Sequence, residues 1–301
     1  MTAQSSATAP RTITAGLALG ALGVLAFSLS LPFTRVAVGG LDPWFVAFGR
    51  AVGAAALAWA YLRFTGAPAP TRAQWRRLAV VALGVVAGFP LFTSLALTTS
   101  TSAHGAVVVT VLPAMTAIFA VLRAGEHPPA LFWLASLGGL AVVLTFLVAS
   151  GEVHGSLGRT DLFLLAAVIL CGLGYAEGGA LSRELGGART ICWALIVALP
   201  VTAPITAISV LREPPHAGPA GWAAFGYLTA VSMFLGFFAW YAGLARGGIA
   251  RVGQIQLMQP LLTLLWSALL LGEAVSGASV GAAVMVLGCV VLAQRAAGRG
   301  R

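Results

Sequence analysis

Lysine is absent from this chain of 301 residues, and charge of either sign is scarce: arginine, aspartate and glutamate together reach only 8%. A water-soluble domain carries roughly 25% charged residues, so a soluble fold is excluded. Cysteine is nearly missing as well. Cys171, Cys192 and Cys289 all lie in apolar segments and form no CxxC spacing. That rules out a disulfide framework and a zinc site, and no metal or cofactor is expected. The chain has no HExxH motif, no P-loop and no pair of aspartates embedded in apolar runs. ATP-driven transport and the common intramembrane hydrolyses are therefore not expected, and the chain is not read as an enzyme.

What remains is apolar. Hydrophobic residues make up 59% of the chain, with a mean hydropathy of +0.96. The apolar runs are too long and too little alternating for membrane strands, so the fold class is all-α integral membrane. Ten transmembrane helices are expected near residues 14–36, 44–64, 78–97, 105–122, 131–149, 162–181, 192–211, 222–244, 252–271 and 276–293. The run after Arg11 is longer than the core of a cleaved signal peptide and is read as the first span. Met1 to Pro10 form a short disordered head.

The chain is written twice. Residues 250–273 (ARVGQIQLMQPLLTLLWSALLLGE) repeat the layout of residues 104–126, with a proline inside the apolar run and a terminal Gly-Glu. Pro113 and Pro260 lie 147 residues apart, as do Glu126 and Glu273, Trp75 and Trp222, and Leu97 and Leu244. One shared offset divides the chain into five-helix units at residues 11–157 and 158–301. With the N-terminus in the cytoplasm, 13 arginines fall on the cytoplasmic side and 3 on the other, Arg50 being set aside within a span. Both termini are thus expected to be cytoplasmic. Five spans is an odd number, so the two units enter the membrane from opposite sides and form an inverted repeat around a central cavity. The +9 net charge is explained by this topology, and the partners expected are the lipid bilayer and a small-molecule substrate, not nucleic acid.

Polar groups inside a bilayer cost enough to need a partner or a cavity. Arg50 and Glu177 are the two charges clearly embedded in spans, but they lie toward opposite ends, which disfavours a mutual ion pair. The candidate substrate-binding residues are Tyr175, Glu177, Phe237, Trp240, Tyr241 and Gln254, with His104 at the cavity mouth. Phe234, Phe237, Phe238 and Tyr241 share a helical stripe that either lines a cavity for a flat apolar ligand or packs the core. Gln254, Gln256 and Gln259 both donate and accept, serving either a zwitterion or interhelical hydrogen bonds. Pro113 and Pro260 each free a carbonyl in mid-span, as static kinks or as hinges.

The turn, apolar run, proline and Gly-Glu at residues 97–126 and 244–273 resemble the EamA repeat of the drug/metabolite transporter superfamily. So does the opening Gly39-Gly40-Leu41-Asp42-Pro43 followed by Phe48-Gly49-Arg50, where Arg50 matches an arginine common in the second helix of that repeat. Within the family the chain is similar to YddG-type exporters of aromatic amino acids. Phe27-Ser28 stands where a tryptophan is usual, and Glu177 where an apolar residue is more common. The resemblance implies a ten-helix inner-membrane secondary transporter exporting amino acids, aromatic ones foremost, and related metabolites by alternating access. The alternatives are a sugar-phosphate or nucleotide-sugar carrier, and a membrane-embedded lipid-modifying enzyme.

Overall fold

A computed structural model describes residues 8–149 and 158–271, together with scattered positions from 281 to 295. Among the described residues, six helices are long and apolar enough to cross a membrane: α1 (Thr12–Ala37), α2 (Phe45–Phe64), α3 (Arg72–Ala96), α6 (Arg159–Leu185), α7 (Gly187–Arg212) and α8 (Pro219–Gly247). Between them lie α4, broken into Ser102–Val109 and Leu112–Ala124, and α5 (Ala130–Ala149). Helix α9 follows as Ile249–Gly253, a tighter turn at Gln254–Met258, and Gln259–Leu271. Each of the first nine expected spans thus contains helix. The tenth falls largely outside the described residues.

Helices α4 and α9 are interrupted beside the two prolines read as mid-span kinks or hinges. Proline cannot donate to the preceding turn, and Pro113 and Pro260 each stand in the first turn of a second helical piece. The later pieces, Leu112–Ala124 and Gln259–Leu271, are offset by 147 residues at both ends. Looser π-helical winding also occurs at corresponding places, over Ala82–Gly88 in α3 and Leu228–Leu235 in α8. A third such stretch, Phe45–Gly49, opens α2 just before Arg50.

Contacts between helices follow the same correspondence. Helix α1 packs on α8, as its counterpart α6 packs on α3; α4 meets α6, as α9 meets α1; and α2 lies against α7. The principal pairings therefore join one half to the other. Helices α2 and α7 run in opposite directions: Asp42, at the head of α2, accepts a hydrogen bond from Ser209 near the end of α7 at 2.5 Å. At the other end, Tyr61 of α2 and Gly187 at the start of α7 both lie against Phe238.

Lipid offers little hydrophobic drive for helices to associate, so close backbone contact must supply the attraction. A Cβ on Gly16 of α1 would lie 2.6 Å from the Gly247 nitrogen of α8, and one on Gly84 of α3 would lie 2.5 Å from the Leu170 carbonyl oxygen of α6. No side chain fits at either crossing. Facing outward are Phe64, Leu122, Leu211 and Trp59, the apolar surface expected of a multi-pass membrane protein.

Candidate functional site

Where α1, α2, α3, α4, α6, α8 and α9 converge, a central cavity lies at the junction of the two halves. Val85, Pro90 and Leu112 of the first half line it, as do their counterparts at the 147-residue offset, Ser232, Phe237 and Gln259. The loosened stretches of α3 and α8 both reach the cavity wall. Such π segments recur at functional sites because they turn side chains off the regular helical face. The cavity is contracted, at ≈ 30 Å³, with room for about one water.

Aromatic rings floor the cavity. Phe27 of α1 meets Phe237 with centroids 4.9 Å apart, Tyr175 of α6 meets Trp240 at 5.1 Å, and Phe237 meets Tyr241 at 5.2 Å. Of the expected binding residues, Tyr175 and Phe237 therefore line the cavity, while Trp240 and Tyr241 stand behind them. Tyr241 donates its hydroxyl to the Gly174 carbonyl at 3.1 Å, whereas the Trp240 indole N–H has no partner among the described residues.

Polar groups around this floor are incompletely satisfied. Gln254 and Gln256 are buried on the tight turn of α9, and among the described residues the amide atoms of Gln254 and the Oε1 of Gln259 have no hydrogen-bond partner. Ser30 and Ser232 bond each other across the cavity at 2.7 Å. Arg50, only 2% exposed, joins the cavity wall from α2 with its Nε unpartnered. Nearby, the bend of α1 is held by α9: Thr263 donates to the Ser28 carbonyl at 2.9 Å, and the Trp266 indole donates to the Ser28 hydroxyl at 2.7 Å.

Glu177 lies apart from this group. Its carboxylate accepts from Arg77 of α3 and from Arg123 of α4, the latter at 3.0 Å through Nε, and Arg77 also reaches Glu184 at 2.5 Å. The expected separation of Arg50 from Glu177 is thus observed, and the true partners of Glu177 come from the arginine-rich end of the bundle. His104 sits on the first piece of α4, but its side chain lies outside the described residues.

The same end holds a junction that sequence reasoning missed. Gly125, at φ +63°, ends α4 in the left-handed conformation and turns Glu126 toward α9. Glu126 Oε1 accepts from the Ile249 N–H and Oε2 from the Ala250 N–H, both at 2.8 Å, while Arg183 of α6 donates to Oε1 at 2.6 Å. Beside this contact lies a larger depression of ≈ 490 Å³, bordered by Arg183, Arg246 and Arg251. The only sequence signal was the recurrence of Glu126 in the repeat. Among the described residues, no group of three or more His, Cys, Asp or Glu gathers to hold a metal.

Comparison with known proteins agrees with this architecture. The model of the EamA-like transporter family matches residues 14–148 and again residues 158–294. An uncharacterized transporter of Bacillus subtilis, YdeK, is 43% identical over 284 residues, covering 92% of this chain and 96% of its own. An uncharacterized transporter of Archaeoglobus fulgidus is 23% identical over 258 residues, covering 84% and 88%. One crystal structure superimposes with a TM-score of 0.72 at 21% identity, over 95% of this chain and 98% of that one, a likeness of fold.

Proposed function

The chain belongs to the EamA-like transporter family, and on that premise we propose that it is a secondary carrier exporting amino acids, aromatic ones foremost, across the inner membrane by alternating access. The observation that carries this reading is the central cavity, lined at positions 147 residues apart in the two halves, whose helices α2 and α7 run in opposite directions. Carriers built from inverted repeats place substrate at that junction. Units 11–157 and 158–301 rock against each other, with Pro113 and Pro260 as hinges where α4 and α9 break. Tyr175 and Phe237 receive the side chain of the substrate, backed by Trp240 and Tyr241, and Gln254 provides an amide at the edge of the site. Glu177 and His104 belong to the path between cavity and solvent. No cofactor takes part.

A sugar phosphate fits less well. Among the described residues the cavity wall carries one cation, Arg50, where a doubly charged group calls for more. In the membrane both termini face the cytoplasm, as does the arginine-rich end, following the bias of basic residues.

The test is counterflow in proteoliposomes loaded with unlabelled phenylalanine. Saturable accumulation of labelled phenylalanine, tyrosine and tryptophan, with none of glucose 6-phosphate, is expected. Accumulation of the sugar phosphate alone would replace the reading with the second one. Orientation is read separately from Arg76→Cys in intact cells: labelling by an impermeant maleimide from outside would reverse the assigned topology.

A further inference from the structure

We propose that Arg50 is the anchor for the carboxylate of the substrate, and that Gln259, from the opposite half, receives its ammonium. This deepens the carrier reading and rests on it. Arg50 is embedded within α2, is 2% exposed, and has neither a hydrogen bond nor an ion pair among the described residues. An unpaired buried cation is costly, and such residues in membrane proteins are retained facing a partner or a cavity. The embedded acid that could have served, Glu177, is already held by Arg77 and Arg123. Arg50 lines the central cavity instead.

The same cavity supplies the complementary half of a zwitterion site. Among the described residues, Gln259 Oε1 is an acceptor with no donor, on a residue 5% exposed, at the start of the last piece of α9. An ammonium is a donor with no acceptor capacity, so it satisfies that oxygen as a carboxylate satisfies the guanidinium. Phe27, Tyr175 and Phe237 present their rings to the same space. The chemistry recognised is therefore an α-amino acid with an apolar side chain. Arg50 and Gln259 sit on different halves, so a headgroup held by both bridges the junction. The contracted cavity excludes a whole amino acid in this conformation, which places binding after the halves have parted.

The experiment uses the purified full-length chain in nanodiscs and measures affinity for phenylalanine, 3-phenylpropionate, which lacks the amine, and phenethylamine, which lacks the carboxylate. Phenethylamine is expected to bind roughly 10- to 100-fold more weakly than phenylalanine, the range for a lost charged hydrogen bond. Arg50→Gln should erase that difference and Arg50→Lys should restore part of it. Gln259→Leu should weaken phenylalanine while sparing 3-phenylpropionate. Should Arg50→Gln fail to fold, the wild-type probe series still decides. Equal wild-type affinity for phenylalanine and phenethylamine, an equal loss of all three probes in Arg50→Gln, or no binding of either carboxylate would each overturn the subsite. The carrier reading is judged separately by counterflow, so a chain that moves phenylalanine and phenethylamine alike remains a carrier without this anchor.

Discussion

Glu126 and the backbone of Ile249, 123 residues apart, are joined by a 2.8 Å hydrogen bond that ties the end of α4 to the beginning of α9. The second carboxylate oxygen takes the next N–H, so one side chain satisfies two donors that a helix start leaves open. The negative charge also lies at the favourable end of the helix dipole. The two partners sit in different halves, so the bond links the halves at this end of the bundle.

Replacing Glu126 should loosen that end. Loss of the capping bonds is worth about 1 kcal/mol, and the half-exposed Arg183 pair adds less, so Glu126→Ala should favour opening by roughly 10-fold. Maleimide labelling of a single cysteine at Ala250, 3% exposed in this conformation, reads the change. Unaltered labelling would show that the bond does not govern closure.

Glu177 is surrounded differently, and its loss should act on stability. Glu177→Gln leaves Arg77 and Arg123 facing each other without the intervening charge. Breaking a fully buried ion pair costs about 3–5 kcal/mol, but both arginines keep contact with solvent, which reduces the figure to roughly 2 kcal/mol. A fall of several degrees in Tm in detergent is expected. Transport that also loses its pH dependence would assign Glu177 a proton-carrying role, whereas unchanged pH dependence would confine it to structure.

The spans and the repeat were readable in the sequence because apolar length and a fixed offset are properties of the chain itself. Pro113 and Pro260 pointed to the interruptions of α4 and α9, yet the tight turn at Gln254–Met258 was not readable, since periodicity alone does not separate α from 3₁₀ winding. Tyr175 and Phe237 were found through their surroundings in sequence. Arg50 was noticed as an embedded charge, but its place in the cavity wall depends on how α2 rotates against α7. The Glu126 junction was hidden for a different reason: its acceptors meet backbone N–H groups, which every residue possesses.

Two glycine crossings should tolerate nothing larger. Gly84→Val forces a side chain into the space held by the Leu170 carbonyl and Gly174. Overpacking of this kind costs about 1–3 kcal/mol, and here the obstruction is backbone rather than a side chain that can swing away. Gly226→Ala, which meets nothing within 4 Å, is the control. Size-exclusion profiles after heating should show early aggregation of the first variant alone; equal profiles would mean that α3 and α6 can separate without cost.

Restoring a donor at the helix breaks should bias the conformations. Pro113→Ala permits α4 to run on toward the cavity, and Pro260→Ala does the same for α9. Cysteine labelling from the two membrane sides should shift in opposite directions in the two variants, several-fold in each. Wild-type accessibility with undiminished transport in both would make the prolines static kinks.

The packing of α1 on α8 and of α6 on α3 also bears on how the protein is made. The first pairing, like the junction of α4 with α9, joins residues that leave the ribosome far apart in time: Gly16 must wait for Gly247, and Glu126 for Ile249. At ordinary elongation rates that delay is on the order of ten seconds. Through that interval the glycine face of α1 and the carboxylate of Glu126 have no protein to meet. The early half must be sheltered by lipid or by the insertion machinery, and a pause in synthesis before Gly247 and Ile249 have left the ribosome would be far more hazardous than one after.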